Sequence, residues 1–171
     1  MKKIFQHIAH FFLIRAITKI ILKCLHVFDR IWSHLKFKAL VPNAGLSVCH
    51  WTVEIKYGHQ ISVGDHTSIA PYACLGAKSP IKIGSYVRIS RGAILETAGL
   101  DLTKEPPYKH NSSPIVIEDG VWIASNAIIL GGVTIGRNAI IGAGAVVTKN
   151  IKEGEVVVGQ PYRLLDITIK R

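Results

Sequence analysis

Cysteine is scarce in this 171-residue sequence, and its three residues, Cys24, Cys49 and Cys74, contain no C-x-x-C pair. An odd number without that spacing argues against a disulfide framework or a zinc site and predicts apolar side chains in a reducing compartment. Within residues 1–40 the longest uncharged run, 4–14, has eleven residues. A membrane span needs about 18, and no small-x-small cleavage site follows the MKK start, so neither a spanning helix nor a cleaved signal peptide is predicted.

Acidic residues are almost absent from the same segment. Residues 1–40 hold eight Lys and Arg against the single acid Asp29, whereas residues 41–171 hold thirteen against ten. Most of the net charge of +10 therefore belongs to the N-terminal segment. Nucleic-acid binding would require basic residues interleaved with stacking aromatics or a recognition motif, and the sequence has neither. No nucleic-acid partner is predicted.

Residues 1–40 form the first predicted unit, an amphipathic basic α-helix. One broad face of this helix is apolar, and it carries Leu13, Ile14, Ile17, Ile20, Ile21, Cys24, Leu25, Phe28, Ile31, Trp32 and Leu35. The opposite face carries Arg15, Lys19, Lys23 and Arg30. This combination is typical of a helix lying on an anionic membrane surface, which predicts peripheral contact through residues 1–38 on the cytoplasmic side. The alternative is packing on its own domain or on a neighbouring subunit.

From Val63 onward an aliphatic residue returns every six positions, at 63, 69, 75, 83, 89, 95, 117, 123, 129, 135, 141 and 147. A helix would repeat near 3.6 and a half-buried strand at 2. A period of six with β-branched residues predicts short strands joined by turns and stacked as a parallel β-helix. The predicted fold class is therefore mainly β, with about four clear coils, weaker ones around residues 46–62, and a second unit spanning residues 41–171.

Residues 96–115, ETAGLDLTKEPPYKHNSSPI, interrupt this period. The insert is polar, bears prolines and contains a single histidine, His110. Loops that leave a regular scaffold carry binding and catalytic residues more often than the scaffold does. The insert is therefore the candidate position for chemistry, and an ordinary polar loop residue is the alternative for His110.

The stretch PIVIEDGVWIASNAIILGGVTIGRNAIIGAGAVVTKNI (114–151), followed by GQPYR (159–163), resembles the hexapeptide-repeat acyltransferases. The resemblance is to the galactoside, maltose and polysaccharide O-acetyltransferases in particular, and it covers roughly residues 50–165, without the N-terminal helix. It implies a left-handed parallel β-helix and a homotrimer with active sites between adjacent subunits. It also implies acetyl-CoA as the acetyl donor, with no metal.

The resemblance also maps the coenzyme A groove of the family onto this sequence. Ser125 in WIAS and Ala143 in IGAGA match positions along the pantetheine arm. Thr148 and Lys149 in VTKN match the pair near the adenine and phosphates, and Arg163 in GQPYR matches another phosphate contact. Cationic ends and a narrow slot suit a thioester carrier with several phosphates. The alternatives are a solvated end for Lys149 and Arg163 and core packing for Ala143.

Acetyl transfer to a hydroxyl needs a general base, because the hydroxyl is a poor nucleophile until its proton is removed. In the family this base is a histidine on an inserted loop, in a stretch like T-G-H. Here the matching stretch is TAGLD, and Leu100 occupies the position of that histidine. His110 is the candidate catalytic base, with Asp101 or Glu105 orienting its imidazole. Trp122 matches a tryptophan beside the family's catalytic pocket.

These features predict an O-acetyltransferase that moves acetyl from acetyl-CoA to a sugar hydroxyl. The membrane-binding helix makes a lipid-linked glycan the expected acceptor, as in lipopolysaccharide, O-antigen or capsule assembly at the inner face of the cytoplasmic membrane. The alternative, favoured by Leu100, is a catalytically inactive hexapeptide-repeat protein that serves binding or assembly. A zinc hydratase similar to the gamma carbonic anhydrases would need three converging histidines. His50, His59, His66 and His110 do not have that family's spacing.

Overall fold

The computed structural model describes residues 2–103, 105–160 and 163–165. One long helix, α1 (Lys2–Leu40), precedes a solenoid of about six coils whose sides are built from parallel β-strands. The predicted fold class, a β-helix behind an N-terminal α-helix, is confirmed. Two residues, Val41 and Pro42, join α1 to the first strand.

Within the described residues, three parallel sheets form the sides of the solenoid. The first sheet contains β1 (Asn43–Ala44), β4 (Ile61–Val63), β7 (Ile81–Ile83), β12 (Ile115–Ile117) and β15 (Thr134–Ile135). The second contains β2 (Val48–Cys49), β5 (Ser68–Ile69), β8 (Arg88–Ile89), β13 (Trp122–Ile123), β16 (Ile140–Ile141) and β18 (Val156–Val158), with β19 (Arg163–Leu165) antiparallel at its edge. The third contains β3 (Glu54–Lys56), β6 (Cys74–Gly76), β9 (Ile94–Glu96), β14 (Ile128–Leu130) and β17 (Val146–Val147).

Two short elements lie outside these sheets. A 3-10 helix, Gly58–Gln60, precedes β4, and a two-stranded hairpin is formed by β10 (Ala98–Leu100) and β11 (His110–Ser112). In each coil the chain passes from the first sheet to the second, then to the third, and back to the first. The turns between them are called the first, second and third corner, in that order.

The six-residue period places its aliphatic side chains inside the solenoid. Ile123, Ile129 and Ile135 are fully buried, and so is the fifth-position residue Ala127. Ile123 pairs in register with the equivalent residues of the coils before and after it. Because parallel strands lie about 4.8 Å apart, each inward side chain packs between two similar ones.

The first coil begins at Asn43, before the region where weak repeats were predicted. Its first-position side chains are Ala44, Cys49 and Ile55, and the step from Ala44 to Cys49 is one residue shorter than the repeat. At the other end, β18 and a single bridge between Ile135 and Ile151 form an incomplete last coil. Of the stretch after Gly159, residues 161–162 and 166–171 lie outside the described residues.

The C-terminal part of α1 closes the open end of the first coil. Carbonyl groups of a terminal coil have no further coil to bond with, and buried carbonyls need partners. Two lysine ammonium groups supply them: Lys38 Nζ donates to the carbonyls of Ala44 (2.5 Å) and Gly45 (2.9 Å), and Lys36 Nζ donates to those of Trp51 (2.5 Å) and Val53 (2.9 Å). Phe37, 1% exposed, fills the space below the coil.

The rest of the described helix has a different surface. From Phe11 to Leu35 its large apolar side chains are about half or more exposed, whereas its contacts with the solenoid are made by Asp29, Ser33, Lys36 and Phe37. The apolar face therefore points away from the side that docks on the solenoid. No described helix combines the length and apolar character that crossing a bilayer requires.

Candidate active site

Two of the predicted coenzyme residues stack at the second corner. Ser125 follows β13 and Ala143 follows β16, and the Gly144 N–H donates to the Ser125 carbonyl over 2.9 Å. Ser125 is half-buried and Ala143 is exposed, so the core-packing alternative for Ala143 is wrong. A Cβ placed on Gly144, whose φ is +67°, would meet nothing within 4 Å. The backbone at this corner therefore borders open space, where an extended ligand can contact the main chain.

Arg163 lies near the same corner, farther along the solenoid. It is exposed in β19, opposite Val158 of β18. The Gly142 N–H donates to the Val157 carbonyl over 2.7 Å, which places β18 directly beyond the Ala143 turn. A guanidinium is thus available on the side of the solenoid where Ala143 is exposed.

Thr148 and Lys149 lie at the third corner instead. Both are exposed in the turn after β17, and the Asn150 side chain fixes this turn by accepting a hydrogen bond from the Thr134 N–H over 2.8 Å. Three residues of extended chain separate this turn from the Ala143 turn, which corresponds to about 10 Å. A single chain therefore divides the five residues predicted to contact coenzyme A between two corners: Ser125, Ala143 and Arg163 at the second, Thr148 and Lys149 at the third.

The surface between these two corners is apolar. Along the outer face of the third sheet, Cys74, Ile94, Ile128 and Val146 stand in one row in register. All four are half-buried. This row could not be predicted from the sequence, because outward positions are free of the six-residue constraint. Such a row offers an apolar floor for a ligand or for a second chain.

The insert is a hairpin that leaves the solenoid at the third corner. Its strands pair Ala98 with Ser112, Gly99 with Asn111 and Leu100 with His110. Side chains directly opposite each other in an antiparallel pair lie on the same face, with Cβ atoms about 4.5–5.5 Å apart. The imidazole of His110 is therefore held next to Leu100, the residue that the resemblance aligns with the family's histidine.

The root of the hairpin is fixed to the coil below it. The hydroxyl of Thr97, 2% exposed, donates to the Gly76 carbonyl (2.8 Å) and accepts from the Ser79 N–H (3.0 Å). Ser79 Oγ also bonds to Ser112 Oγ over 2.7 Å. These bonds tie both strands of the hairpin to the preceding coil, so His110 sits two residues from an anchored position.

Of the two predicted carboxylate partners of His110, Asp101 and Glu105, the first is engaged elsewhere. Asp101 Oδ1 accepts hydrogen bonds from the Thr103 hydroxyl (2.6 Å) and from its N–H (3.1 Å). The hydroxyl first, and then the N–H, hold the pKa of Asp101 below its usual value. Among the described residues, the exposed imidazole of His110 makes no hydrogen bond. It is open to a ligand or to a partner chain.

Trp122 lies on the outer face of the second sheet, just before the Ser125 turn. Its indole is 48% exposed, and Nε1 donates to Ser90 Oγ over 3.1 Å. This bond directs the ring towards the preceding coil along the second corner. Trp122 therefore belongs with the Ser125 group, and His110 stands at the other end of the third sheet.

The remaining histidines have other surroundings. His66 stacks on Tyr86 with ring centroids 5.0 Å apart, and His59 is an exposed residue of the 3-10 helix. His50 forms an ion-pair contact with Asp29 of α1, with Nε2 and Oδ2 3.4 Å apart, which sequence analysis missed because the two residues are 21 positions apart. The described residues contain no group of three or more histidine, cysteine, aspartate or glutamate side chains suited to a metal ion.

A family model described as bacterial transferase hexapeptide (six repeats) matches residues 114–149. A hexapeptide-repeat-containing acetyltransferase from Vibrio cholerae O1 biovar eltor, solved with acetyl coenzyme A, is 32% identical, with a TM-score of 0.72 over 77% of this chain and 74% of that chain. A maltose O-acetyltransferase from Clostridium difficile 630 is 32% identical, with a TM-score of 0.67 over 75% and 71%. A galactoside acetyltransferase in complex with coenzyme A is 28% identical, with a TM-score of 0.66 over 75% and 66%.

Proposed function

The chain belongs to the hexapeptide-repeat acetyltransferases, and on that premise we propose that it moves an acetyl group from acetyl-CoA to a hydroxyl group of a sugar. The enzyme class and the acetyl-CoA donor follow from the family. The sugar hydroxyl follows from the maltose and galactoside acetyltransferases among its structural relatives. The observation that carries the proposal is the register of the insert hairpin, which sets His110 directly opposite Leu100.

His110 serves as the general base in this proposal. Its unprotonated ring nitrogen takes the proton of the sugar hydroxyl as the oxygen attacks the thioester carbonyl carbon. The resulting oxyanion is stabilised by a nearby N–H donor. When the C–S bond breaks, the coenzyme A thiolate leaves and takes the proton from the imidazolium. Because no carboxylate of the described residues orients the ring, contact with substrate or with a neighbouring subunit has to position it.

The division of the coenzyme residues between two corners favours a site shared by subunits, as the homotrimer of the family implies. In a trimer, the second corner of one subunit faces the third corner of the next. Ser125 and Ala143 of one chain then line the pantetheine arm beside Lys149 and the hairpin of its neighbour. The apolar row on the third sheet would be covered by this arrangement.

We extend the proposal to a lipid-linked acceptor at the inner face of the cytoplasmic membrane, in lipopolysaccharide, O-antigen or capsule biosynthesis. Its support is the apolar face of α1, which no described part of the chain covers. Arg15, Lys19 and Lys23 lie on the same exposed part of the helix, where they can contact anionic headgroups. This partner would bring the enzyme to the surface on which such glycans are assembled.

The test of the activity uses labelled acetyl-CoA and a membrane-glycan extract. We expect wild-type protein to label the glycan, and His110→Ala to lower the rate by about 100-fold or more, the usual contribution of a positioned base. His66→Ala is the matched control, since it removes an exposed turn histidine at the first corner, whereas the hairpin leaves at the third, and it is expected to retain the wild-type rate.

Two results would change the assignment. If His110→Ala labels as fast as wild type, the enzyme has its base elsewhere and the hairpin argument is wrong. If wild type transfers nothing while Leu100→His gains activity, the chain is the catalytically inactive binding or assembly protein that Leu100 favours.

A further inference from the structure

A cavity of about 350 Å³ lies where α1 crosses the first two coils. From the helix it is lined by His26, Asp29, Arg30, Ser33 and His34. Val48, Ile69 and Pro71 contribute an apolar wall from the solenoid, and His50 closes one side. None of these residues takes part in the acetyl transfer proposed above, so the cavity needs its own explanation.

The helix side of the cavity carries one formal positive charge, that of Arg30. His26, Arg30 and His34 follow one another at intervals of four residues, which puts them in one row along the helix. Arg30 makes no ion pair within the described residues, and all three side chains are exposed at the rim of the cavity. A guanidinium can bind a phosphate group through two parallel hydrogen bonds, which fixes the orientation of the phosphate as well as attracting its charge.

The acid that lines the cavity, Asp29, faces His50 of the solenoid. His50 Nδ1 accepts a hydrogen bond from the Thr52 N–H (3.2 Å) and lies 2.8 Å from Thr52 Oγ1. These contacts place the ring proton on Nε2, which faces Asp29 Oδ2 at 3.4 Å. The Asp29 carboxylate therefore faces the N–H of His50 at the junction of helix and solenoid, and Arg30 has no carboxylate partner among the described residues.

The other walls are apolar and continue beyond the cavity. Val48 is 66% exposed on the outer face of the second sheet, although it is a valine in a strand. A second groove of about 380 Å³ adjoins at Asp29 and is lined by Leu25, Phe28, Trp32 and Trp51. A ligand with an anionic head and an apolar chain matches this sequence of surfaces, because its head meets Arg30 while its chain meets aromatic and aliphatic side chains.

We infer that this cavity binds the phosphoryl group of an amphiphile, meaning a phosphate or diphosphate ester that carries an apolar chain. Two sources share that chemistry: the isoprenyl diphosphate carrier of a lipid-linked glycan, and a bilayer phospholipid. The inference rests on the proposed function only for the choice between these sources. The cavity and its charge are independent of acetyl transfer.

Calorimetric titration of the full chain with soluble amphiphiles tests the inference. The probes are geranyl diphosphate and dihexanoyl phosphatidate, each below its micelle concentration, with inorganic diphosphate as the head group alone. We expect saturable binding of at least one amphiphile, and about tenfold weaker binding after Arg30→Gln. Lys19→Gln, which removes the same charge from a helix position outside the cavity, is expected to stay within about twofold of wild type. Preference for the isoprenyl probe identifies a glycan carrier, and preference for phosphatidate identifies a membrane lipid.

Three outcomes would overturn the inference. They are no saturable binding of either amphiphile, equal weakening by Arg30→Gln and Lys19→Gln, or inorganic diphosphate binding as tightly as geranyl diphosphate. Val48→Trp supplies a second check, because it fills the apolar wall from an exposed position and should abolish binding without unfolding the solenoid. Acetyl-CoA binding is measured on the same preparations. A protein that binds acetyl-CoA and no amphiphile refutes this inference alone, and the reverse result refutes the acetyltransferase alone.

Discussion

The solenoid and the exposed part of α1 contain the same aliphatic side chains in opposite surroundings. Ile123, Ile129 and Ile135 are fully buried in the coils, whereas Ile17 and Ile20 on the helix are 48% and 62% exposed. Each coil residue packs between equivalent residues of the coils above and below it. Among the residues that the structure describes, the helix has no such neighbour until its C-terminal turns reach the solenoid. Whether an isoleucine is buried depends on the side chains that stack against it. The apolar face of the helix therefore needs a partner molecule, whereas the interior of the solenoid does not.

At the C-terminal end of α1 the apolar side chains change from exposed to buried. Phe37 and Val41, 1% and 0% exposed, are continuous with the solenoid core, although Phe37 belongs to the helix. Lys36 and Lys38 complete the first coil by bonding to its carbonyls. The last turns of the helix are therefore part of the β-helix as a structural unit, and only the preceding turns remain open to another molecule.

Removing an isoleucine from a coil should lower the stability of the protein more than removing one from the exposed helix. Ile129→Ala is expected to lower the free energy of unfolding by about 2–5 kcal/mol, because it leaves a cavity that the stacked coils cannot close. Ile20→Ala removes an equally large side chain from the exposed helix and is expected to change it by less than about 0.5 kcal/mol. Urea denaturation followed by circular dichroism measures both. Equal losses for the two variants would mean that the helix is buried against a second chain in solution.

The coils could be predicted from the sequence because each inward position has one requirement, an aliphatic side chain at every sixth residue. The first coil did not show this signal, since its core is completed from outside the repeat. Ala44 and Cys49 are small and stand one residue closer together than the repeat requires, and Phe37 of the helix supplies the missing volume. A pattern within the repeat cannot reveal a contribution from a preceding helix.

The candidate site was predictable in part. The positions of Ser125 and Ala143 at a turn follow from the repeat, and the turn at Asp101 follows from the local pairing of an aspartate with a hydroxyl residue two positions on. The pairing of Leu100 with His110 could not be predicted, because a loop of nine residues between two short strands leaves the register open. The contact between His50 and Asp29 depends on how the helix docks, for which the sequence has no local pattern.

The reactivity of the thiols should also differ between the first coil and the exposed helix. Burial raises the pKa of the Cys49 thiol to about 12, against the opposing effect of the Lys36 ammonium, whereas Cys24 is exposed on the helix. The thiolate is the reactive form, so at pH 8 a soluble disulfide reagent should label Cys24 at least about 100-fold faster than Cys49. Mass spectrometry of the labelled peptides measures the ratio. Comparable rates would show that the first coil opens readily in solution.

The raised pKa also sets a direction for stability. Below pH 9, the ordinary pKa of the group, the Cys49 thiol is protonated in both folded and unfolded chains and makes no difference. Between pH 9 and about 12 the unfolded chain releases the proton and the folded chain keeps it, so the free energy of unfolding falls as pH rises. Cys49→Ala should remove this part of the decline, and its persistence in the variant would assign the decline to other groups.

Binding to lipid vesicles tests what covers the apolar face of the helix. Ile17→Gln should weaken sedimentation with anionic phosphatidylglycerol vesicles by about tenfold, because it places an amide where an apolar side chain enters the headgroup layer. Ala16→Gln, one position away on the basic side, should bind as wild type does. Raising the salt concentration should weaken all three proteins through Arg15, Lys19 and Lys23. If wild type stays in the supernatant while Ile17→Gln shifts the mass measured by light scattering, the apolar face packs on another copy of the chain. The apolar side chains of the helix would then be buried by protein side chains, as those of the coils are, and not by lipid.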